Sequence, residues 1–330
     1  MKLRFLAISL FFVYHLFLSA SDERVTAAQN LISTAIEKTN IFALPSFVMK
    51  ANVRLDNNGK PLDGSYQFLW NGPDEWREEI TVPGYSEVQV GSKGTIFIKR
   101  SVDFTPWRIA ELHRTLGYSS SAPDGSFFNV ALRPDETIRK TNDQKVHGTK
   151  VKCVEIVGKE KSTREICVDP STGTLVRQER FLDKEMLAIG EKFYPRFLSC
   201  LEKEKPVVEV QISEFKITDR LPDSSFVPPE GAISRVGCLN PSRPRLVHRV
   251  NPRYPEQDRL SRIQGEVVIY TLISKDGVLK DSRLILGIDP SLNEASLDAI
   301  KQWTYEPSTC NGVPVEVDTT ISVNYMLNGH

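Results

Sequence analysis

Phe47, Met49, Ala51, Val53 and Leu55 alternate with Val48, Lys50, Asn52 and Arg54. This is the period of two expected of a strand with one buried and one wet face. Tyr66, Phe68 and Trp70 repeat it, as do Trp76, Ile80 and Val82 against Arg77, Glu79 and Thr81, and a further strand runs through Val88 and Val90 after Pro83-Gly84. The short loops Asp56-Asn57-Asn58-Gly59 and Gly91-Ser92-Lys93-Gly94 suit antiparallel hairpins. Ahead of these strands, Val25, Ala28, Ile32 and Ala35 recur at helical spacing over residues 22–38, with Ser21 or Asp22 as a cap. Residues 106–117 read as a second helix, with proline early and glycine as its stop. Further strands are predicted at 127–132, 149–157, 164–168, 174–181, 185–194 and 207–217. Two helices with about ten meandering strands make an α+β fold whose antiparallel sheet curls rather than staying flat. A curled sheet with a helix across its mouth can enclose an apolar cavity.

A second pattern follows a break. Of 20 prolines, seven lie between Pro222 and Pro255, and residues 228–249 show no sustained hydrophobic period, so they read as a linker. Such a linker of about 22 residues spans at most about 80 Å. Beyond it, residues 256–262 read as a short helix and 263–273 as a strand. Asp276-Gly277 makes a hairpin turn into 278–286, and Leu292, Ala295, Ala299 and Trp303 mark a helix starting near Ser291. After the turn at Asn311-Gly312, Val315, Val317, Thr319, Ile321, Val323, Tyr325 and Leu327 alternate with mostly polar partners in a long strand.

The start of the chain has its own pattern. Lys2 and Arg4 precede an apolar run from Phe5 to Leu18, followed by Ser19, Ala20 and Ser21. This is a secretory signal peptide over residues 1–20, cut near Ala20, with an uncleaved inner-membrane anchor as the alternative. The mature chain then holds 40 basic and 42 acidic residues, a balance that offers no surface for nucleic acid. In an oxidising compartment the five cysteines read as bridges rather than catalysts. Cys153 and Cys167 flank a turn and face each other across a hairpin, and Cys238 with Cys310 is the next pair. That leaves Cys200 over.

Residues 47–55, Gly64-Ser-Tyr-Gln-Phe-Leu-Trp70 followed by Glu75-Trp-Arg-Glu-Glu79, and Cys167-Val-Asp-Pro-Ser-Thr-Gly-Thr-Leu-Val-Arg177 together resemble the LolA and LolB-like periplasmic lipoprotein carriers. The resemblance covers about residues 40–227 and implies an unclosed barrel with a helical lid. It also implies that Phe68, Trp70 and Trp76 line a lipid or acyl pocket, against the plainer assignment of these three to sheet core. The division of the chain is then a signal peptide (1–20), a curved-sheet domain (21–227), a linker (228–249) and a small C-terminal domain (250–330).

Several motifs of that last domain occur in one order: Tyr254-Pro255, Ile263-Gln264-Gly265, Asp276-Gly277, the run from Ala299 through Trp303 and Tyr305 to Pro307, and Asn311-Gly312 before Pro314-Val315. They resemble the C-terminal domain of the TonB family. That resemblance implies a small antiparallel sheet packed on two helices, which binds an extended segment of an outer-membrane receptor by strand addition. The candidate strand is 315–327, with Val317, Thr319, Thr320, Ile321, Ser322, Val323 and Tyr325 as its partner-binding positions and Asp318, Thr320, Ser322 and Asn324 pointing outward. Pairing of this strand across a homodimer, or its cover by a loop, is the alternative. Trp303 and Tyr305 are assigned to core. A force-transmitting TonB has an inner-membrane anchor and a long Pro-rich spacer, and this chain departs from that pattern upstream.

Candidate chemistry adds little. His113, His147, His248 and His330 are far apart and sit in no metal-ligand or triad spacing, and the chain has no phosphate loop, nucleophile elbow or Cys-x-x-Cys motif. Asp56-Asn57-Asn58-Gly59 has part of the composition of a calcium loop but lacks the closing Glu, so a hairpin turn is expected there. No enzyme, cofactor or metal is expected. Three functions follow: a periplasmic interaction protein docking an outer-membrane receptor or other envelope protein, in TonB-dependent transport or beside it; a carrier of lipid or lipoprotein; or an envelope scaffold.

Overall fold

The computed structural model of the chain describes residues 23–57, 59–102, 104–116, 132, 135–146, 148–158, 163–178, 180–236, 242, 244–310 and 312–327. The expectations at Ala20, Asn58, His147, Cys238, Asn311, His330 and the strand at 127–131 lie outside those residues. The chain forms two compact units from interleaved segments, one of residues up to 43 with 126–206, the other of 44–125 with 207–330. No helix among the described residues is long and apolar enough to cross a membrane.

In the first unit, helix α1 (residues 23–39) buries Ala28, Ile32 and Ala35, while Val25 in its first turn stays exposed. Its last turn is tied down by two lysines, one of which satisfies a carbonyl that the helix end leaves free. Lys192 Nζ donates to the Glu37 carbonyl at 2.8 Å, and Lys38 Nζ donates to the Thr172 carbonyl at 2.7 Å. The next residue, Gly173, has φ +71°, and a Cβ there would come within 3.1 Å of the Thr34 side chain and 3.3 Å of Lys38, so its left-handed backbone favours glycine.

Six antiparallel strands complete this unit: β6 (Thr137–Val146), β7 (Thr149–Val157), β8 (Thr163–Asp169), β9 (Thr174–Gln178), β10 (Phe181–Ile189) and β11 (Lys192–Glu202). Each pairs with the next in sequence. The strand expected at 185–194 is corrected: Gly190, with φ +59°, turns the chain between β10 and β11. β6 was not legible because it is largely exposed and carries no apolar alternation, its place coming from the backbone ladder with β7. Cys153 and Cys167 stand opposite each other in the β7–β8 register and are joined by a disulfide, as the hairpin implied. Cys310 is also disulfide-bonded, and Cys200 is buried.

The second unit holds β1 (Ser46–Asn57), β2 (Lys60–Gly72), β3 (Glu75–Val82), β4 (Tyr85–Ser92) and β5 (Thr95–Arg100), with helix α2 (Trp107–Leu116) and strand β12 (Lys205–Thr218). The Pro-rich segment contributes β13 (Ile233–Val236), which pairs with β5. The strand order β13-β5-β4-β3-β2-β1-β12 is antiparallel and does not close into a barrel. Every inward position predicted for β1 is buried, as are Tyr66, Phe68, Trp70, Trp76, Ile80 and Val82. The strands on either side of the two predicted hairpin loops pair as expected, β1 with β2 and β4 with β5, and the Gly59 N–H donates to Asp56 Oδ1 at 2.9 Å.

Aromatic rings build the centre of this face. Phe68 lies 5.9 Å from Phe47 and 6.2 Å from each of Trp70 and Trp76, ring centre to ring centre. Burying each such side chain is worth about 1.5–3 kcal/mol, and the ring contacts add about 1 kcal/mol. Gly91 stands opposite Trp76, and a Cβ there would fall 2.0 Å from the indole Nε1.

The C-terminal part of the second unit contains α3 (Glu256–Leu260), β15 (Gly265–Ile273), β16 (Leu279–Leu286), α4 (Pro290–Ile300) and β20 (Val317–Tyr325), with strand order β16-β15-β20. Four short strands lie around it: β14 (Arg245–His248) pairs with β17 (Thr304–Glu306), and β18 (Ser308–Cys310) with β19 (Val313–Val315). Asp289 caps α4, accepting from the Ser291 N–H, and Pro290 fills the first position, so the helix starts beside Ser291 as its spacing implied. The core joins Val267, Ile269, Leu292, Ile300, Trp303, Ile321, Val323 and Tyr325. Trp303 Nε1 donates to the Val250 carbonyl at 2.7 Å, which confirms its place as core. Gly277 has φ +76°, and a Cβ there would lie 1.8 Å from the Tyr305 carbonyl oxygen.

Two predictions follow from packing. Gly91→Ala should cost about 1–3 kcal/mol in urea unfolding, because the buried Trp76 ring has to move. Asp183 on β10 is 4% exposed and its Oδ1 has no hydrogen-bond partner among the described residues, so burial raises its pKa well above the ordinary carboxylate value. The folded state then keeps a proton that the unfolded chain loses above about pH 4, and stability falls with rising pH by up to about 1.4 kcal/mol per unit. Asp183→Asn should flatten that slope, as measured by urea unfolding between pH 5 and 7.

Candidate functional site

Strand β3 buries Trp76, Glu78, Ile80 and Val82 on one face, so Glu78 occupies a position that alternation reserves for an apolar residue. Next to it, β4 turns Tyr85, Glu87 and Gln89 to the same face, with Glu78 opposite Gln89 and Ile80 opposite Glu87. Val90 instead packs on the other face with Leu69 and Phe226, with Val88 alongside. Helix α2 buries Ile109, Leu112, His113 and Leu116 at positions i, i+3, i+4 and i+7, and this spacing sets His113 against the two acids.

Glu87 is the most heavily bonded group of this cluster. Its Oε1 accepts from Gln89 Nε2 at 2.7 Å and lies 2.9 Å from His113 Nε2. Its Oε2 accepts from the Tyr85 hydroxyl at 2.7 Å and from Arg100 Nε at 2.5 Å. Burial opposes ionisation of Glu87, but the hydrogen bond and charge of His113, the Arg100 guanidinium and the Gln89 amide outweigh it and hold the carboxyl well below its usual range. For His113, burial works against the charged ring and the two glutamates work for it, so its pKa is pushed up to about 10. Glu78 makes a looser contact, with its Oε2 3.4 Å from His113 Nδ1.

The network continues through Arg100. Its Nη2 donates to Asp318 Oδ2 at 3.2 Å, and the same oxygen accepts from Arg235 Nη1 at 2.6 Å. Asp318 Oδ1 accepts from the Tyr270 hydroxyl at 2.5 Å. Burial opposes its charge, but Arg235 and Arg100 bring its carboxyl below the ordinary value. Asp318 was expected to point outward from the edge strand; it is instead held within the chain by two arginines.

β20 itself is an outer strand. It pairs with β15 from Val317 opposite Ile273 to Tyr325 opposite Gly265, and the described strands offer no ladder to its other side. Ile321, Val323 and Tyr325 are buried in the core, and the Tyr325 hydroxyl lies 2.8 Å from Ser296 Oγ. Val317, Thr319 and Thr320 are half-buried, while Ser322 and Asn324 are exposed. The seven positions marked from the sequence therefore fall on one strand, yet three of them serve the core.

Phe68, Trp70 and Trp76 are all at most 2% exposed and pack on one another. The glutamate, glutamine and histidine cluster was missed because its members come from two strands and a helix more than twenty residues further on. The one available signal was an acid, Glu78, on the apolar side of an alternating strand.

Residues 250–327 match the family described as the Gram-negative bacterial TonB protein C-terminal. Protein TonB of Vibrio cholerae is 34% identical over 89 residues, 26% of this chain and 36% of that protein. Protein TonB of Klebsiella pneumoniae is 26% identical over 127 residues, 38% of this chain and 50% of that protein. The chain thus spans between about a third and a half of the length of these relatives. Solved structures similar to the N-terminal region include a LolA superfamily protein from Nitrosomonas europaea, 16% identical, with TM-score 0.38, covering 61% of this chain and 97% of that one. A DUF1329 family protein from Desulfovibrio piger is 13% identical, with TM-score 0.41, covering 62% and 97%. Residues 250–327 thus match the family of TonB C-terminal domains.

Proposed function

We propose that this protein works in the periplasm of a two-membrane bacterium, where its C-terminal sheet takes up an extended segment of an outer-membrane receptor or other envelope protein by strand addition. The observation that carries this reading is the place of β20, nine residues long, at the outside of the sheet order β16-β15-β20 in a segment that matches the TonB C-terminal family. An outer strand presents a row of main-chain donors and acceptors, and an incoming backbone completes the ladder. The exposed Ser322 and Asn324 then select among partners, while Asp318 fixes the start of the strand.

The alternative of a lipid or lipoprotein carrier places the cargo on the aromatic face of Phe68, Trp70 and Trp76. Those rings fill that face by packing on one another, so cargo would have to displace them.

Along an antiparallel strand, successive N–H groups point to opposite edges. Ile321→Pro and Ser322→Pro therefore remove one donor from the β15 side and one from the open side. Titration calorimetry with a synthetic peptide of a receptor's periplasmic segment should show at least about tenfold weaker binding, about 1.4 kcal/mol, for the variant that stays folded. Wild-type affinity in that variant would sink the proposal.

Asp318→Ala should destabilise the protein by about 3 kcal/mol at pH 7, the low end for breaking a buried pair, because Asp318 is 21% exposed. Its folded pKa is lowered, so its contribution is present above about pH 4 and is lost as pH falls further. The gap between wild type and variant in urea unfolding should accordingly narrow at pH 3.

A further inference from the structure

The cluster under α2 holds more unsatisfied polar atoms than a closed ion network needs. Glu78 is 1% exposed, and neither of its carboxylate oxygens has a hydrogen-bond partner among the described residues. Gln89, directly opposite it and 2% exposed, leaves its Oε1 unpartnered, and His113 leaves Nδ1 unpartnered. Leaving a buried polar group unsatisfied costs about 1–3 kcal/mol, and more when it is charged, so four such atoms in one place call for a common partner.

The geometry points to a divalent cation of the zinc class, held by the Glu78 carboxylate and His113 Nδ1 with Gln89 Oε1 as a third ligand. The Glu78 Oε2 to His113 Nδ1 distance, 3.4 Å, is long for a hydrogen bond and fails to make one. It matches the separation of about 3.3 Å between two ligands that each lie about 2.0–2.1 Å from a tetrahedral metal. The other ring nitrogen fits as well. A metal-bound histidine normally donates its second N–H to a carboxylate, and His113 Nε2 lies 2.9 Å from Glu87 Oε1. Glu87 is in turn fixed by Tyr85, Gln89 and Arg100, so it orients the imidazole without being needed as a ligand. One carboxylate, one imidazole and one amide oxygen suit a borderline ion better than a soft one. Glu78 and Gln89 come from neighbouring strands and His113 from α2, so the bound ion fastens the helix to the sheet.

The test uses protein purified from cells, stripped with a chelator and titrated with Zn²⁺ under native mass spectrometry. The wild type should take up one more ion than Glu78→Gln, and Co²⁺ in place of Zn²⁺ should give visible four-coordinate bands that the variant lacks. Equal zinc uptake by the two proteins, or none by wild type, overturns the proposal and leaves His113 as a protonated partner of the two acids. Gln89→Met, which keeps every charge, serves where Glu78→Gln fails to fold. Its zinc affinity should fall about tenfold or more, and an unchanged affinity counts equally against the site.

Discussion

A carboxylate in an apolar interior has to be paired, and the pairing of Glu87 organises the sheet around it. Four groups from β4, β5 and α2 converge on its two oxygens. Breaking such a buried set leaves uncompensated charge behind, at a cost of about 3–5 kcal/mol. The arrangement therefore specifies where α2 lies and which way the end of β5 turns, in addition to what hydrophobic burial supplies. Because Arg100 also reaches Asp318, the same network sets the beginning of β20.

That connection bears on binding. An open sheet edge is ordinarily a liability, and proteins shorten it, charge it or cover it. In β20 the first residues are half-buried around an engaged aspartate, whereas Ser322 and Asn324 towards its end are exposed. Under the proposed strand addition, a partner would meet the exposed side chains at the C-terminal half of β20, with a start already held in position. The core residues Ile321, Val323 and Tyr325 keep the strand flat against the rest of its domain, so little ordering entropy remains to be lost on pairing.

Much of the fold was legible because burial imposes a period. The alternation in β1, β2 and β3, the spacing of Ala28, Ile32 and Ala35, and the Asp-Gly turn before Val278 each reflect a local rule that the tertiary structure left in force. The Cys153–Cys167 bridge was legible for the same reason, since two residues equidistant from a hairpin turn face each other. Where period failed, so did the reading. β6 has no apolar alternation to show, and Gly190 interrupts a run of strand-forming residues that otherwise looks continuous.

By itself the sequence determined the antiparallel strands, the helices that accompany them and the TonB-type character of residues 250–327, because these depend on short-range periodicity and on motifs in fixed order. Only the tertiary structure decided that Asp318 is tied by Arg100 and Arg235 rather than offered to a partner. It alone brought His113 between Glu78 and Glu87. Those groups are separated by tens to hundreds of residues, and electrostatic pairing depends on distance in space, which no spacing along the chain encodes.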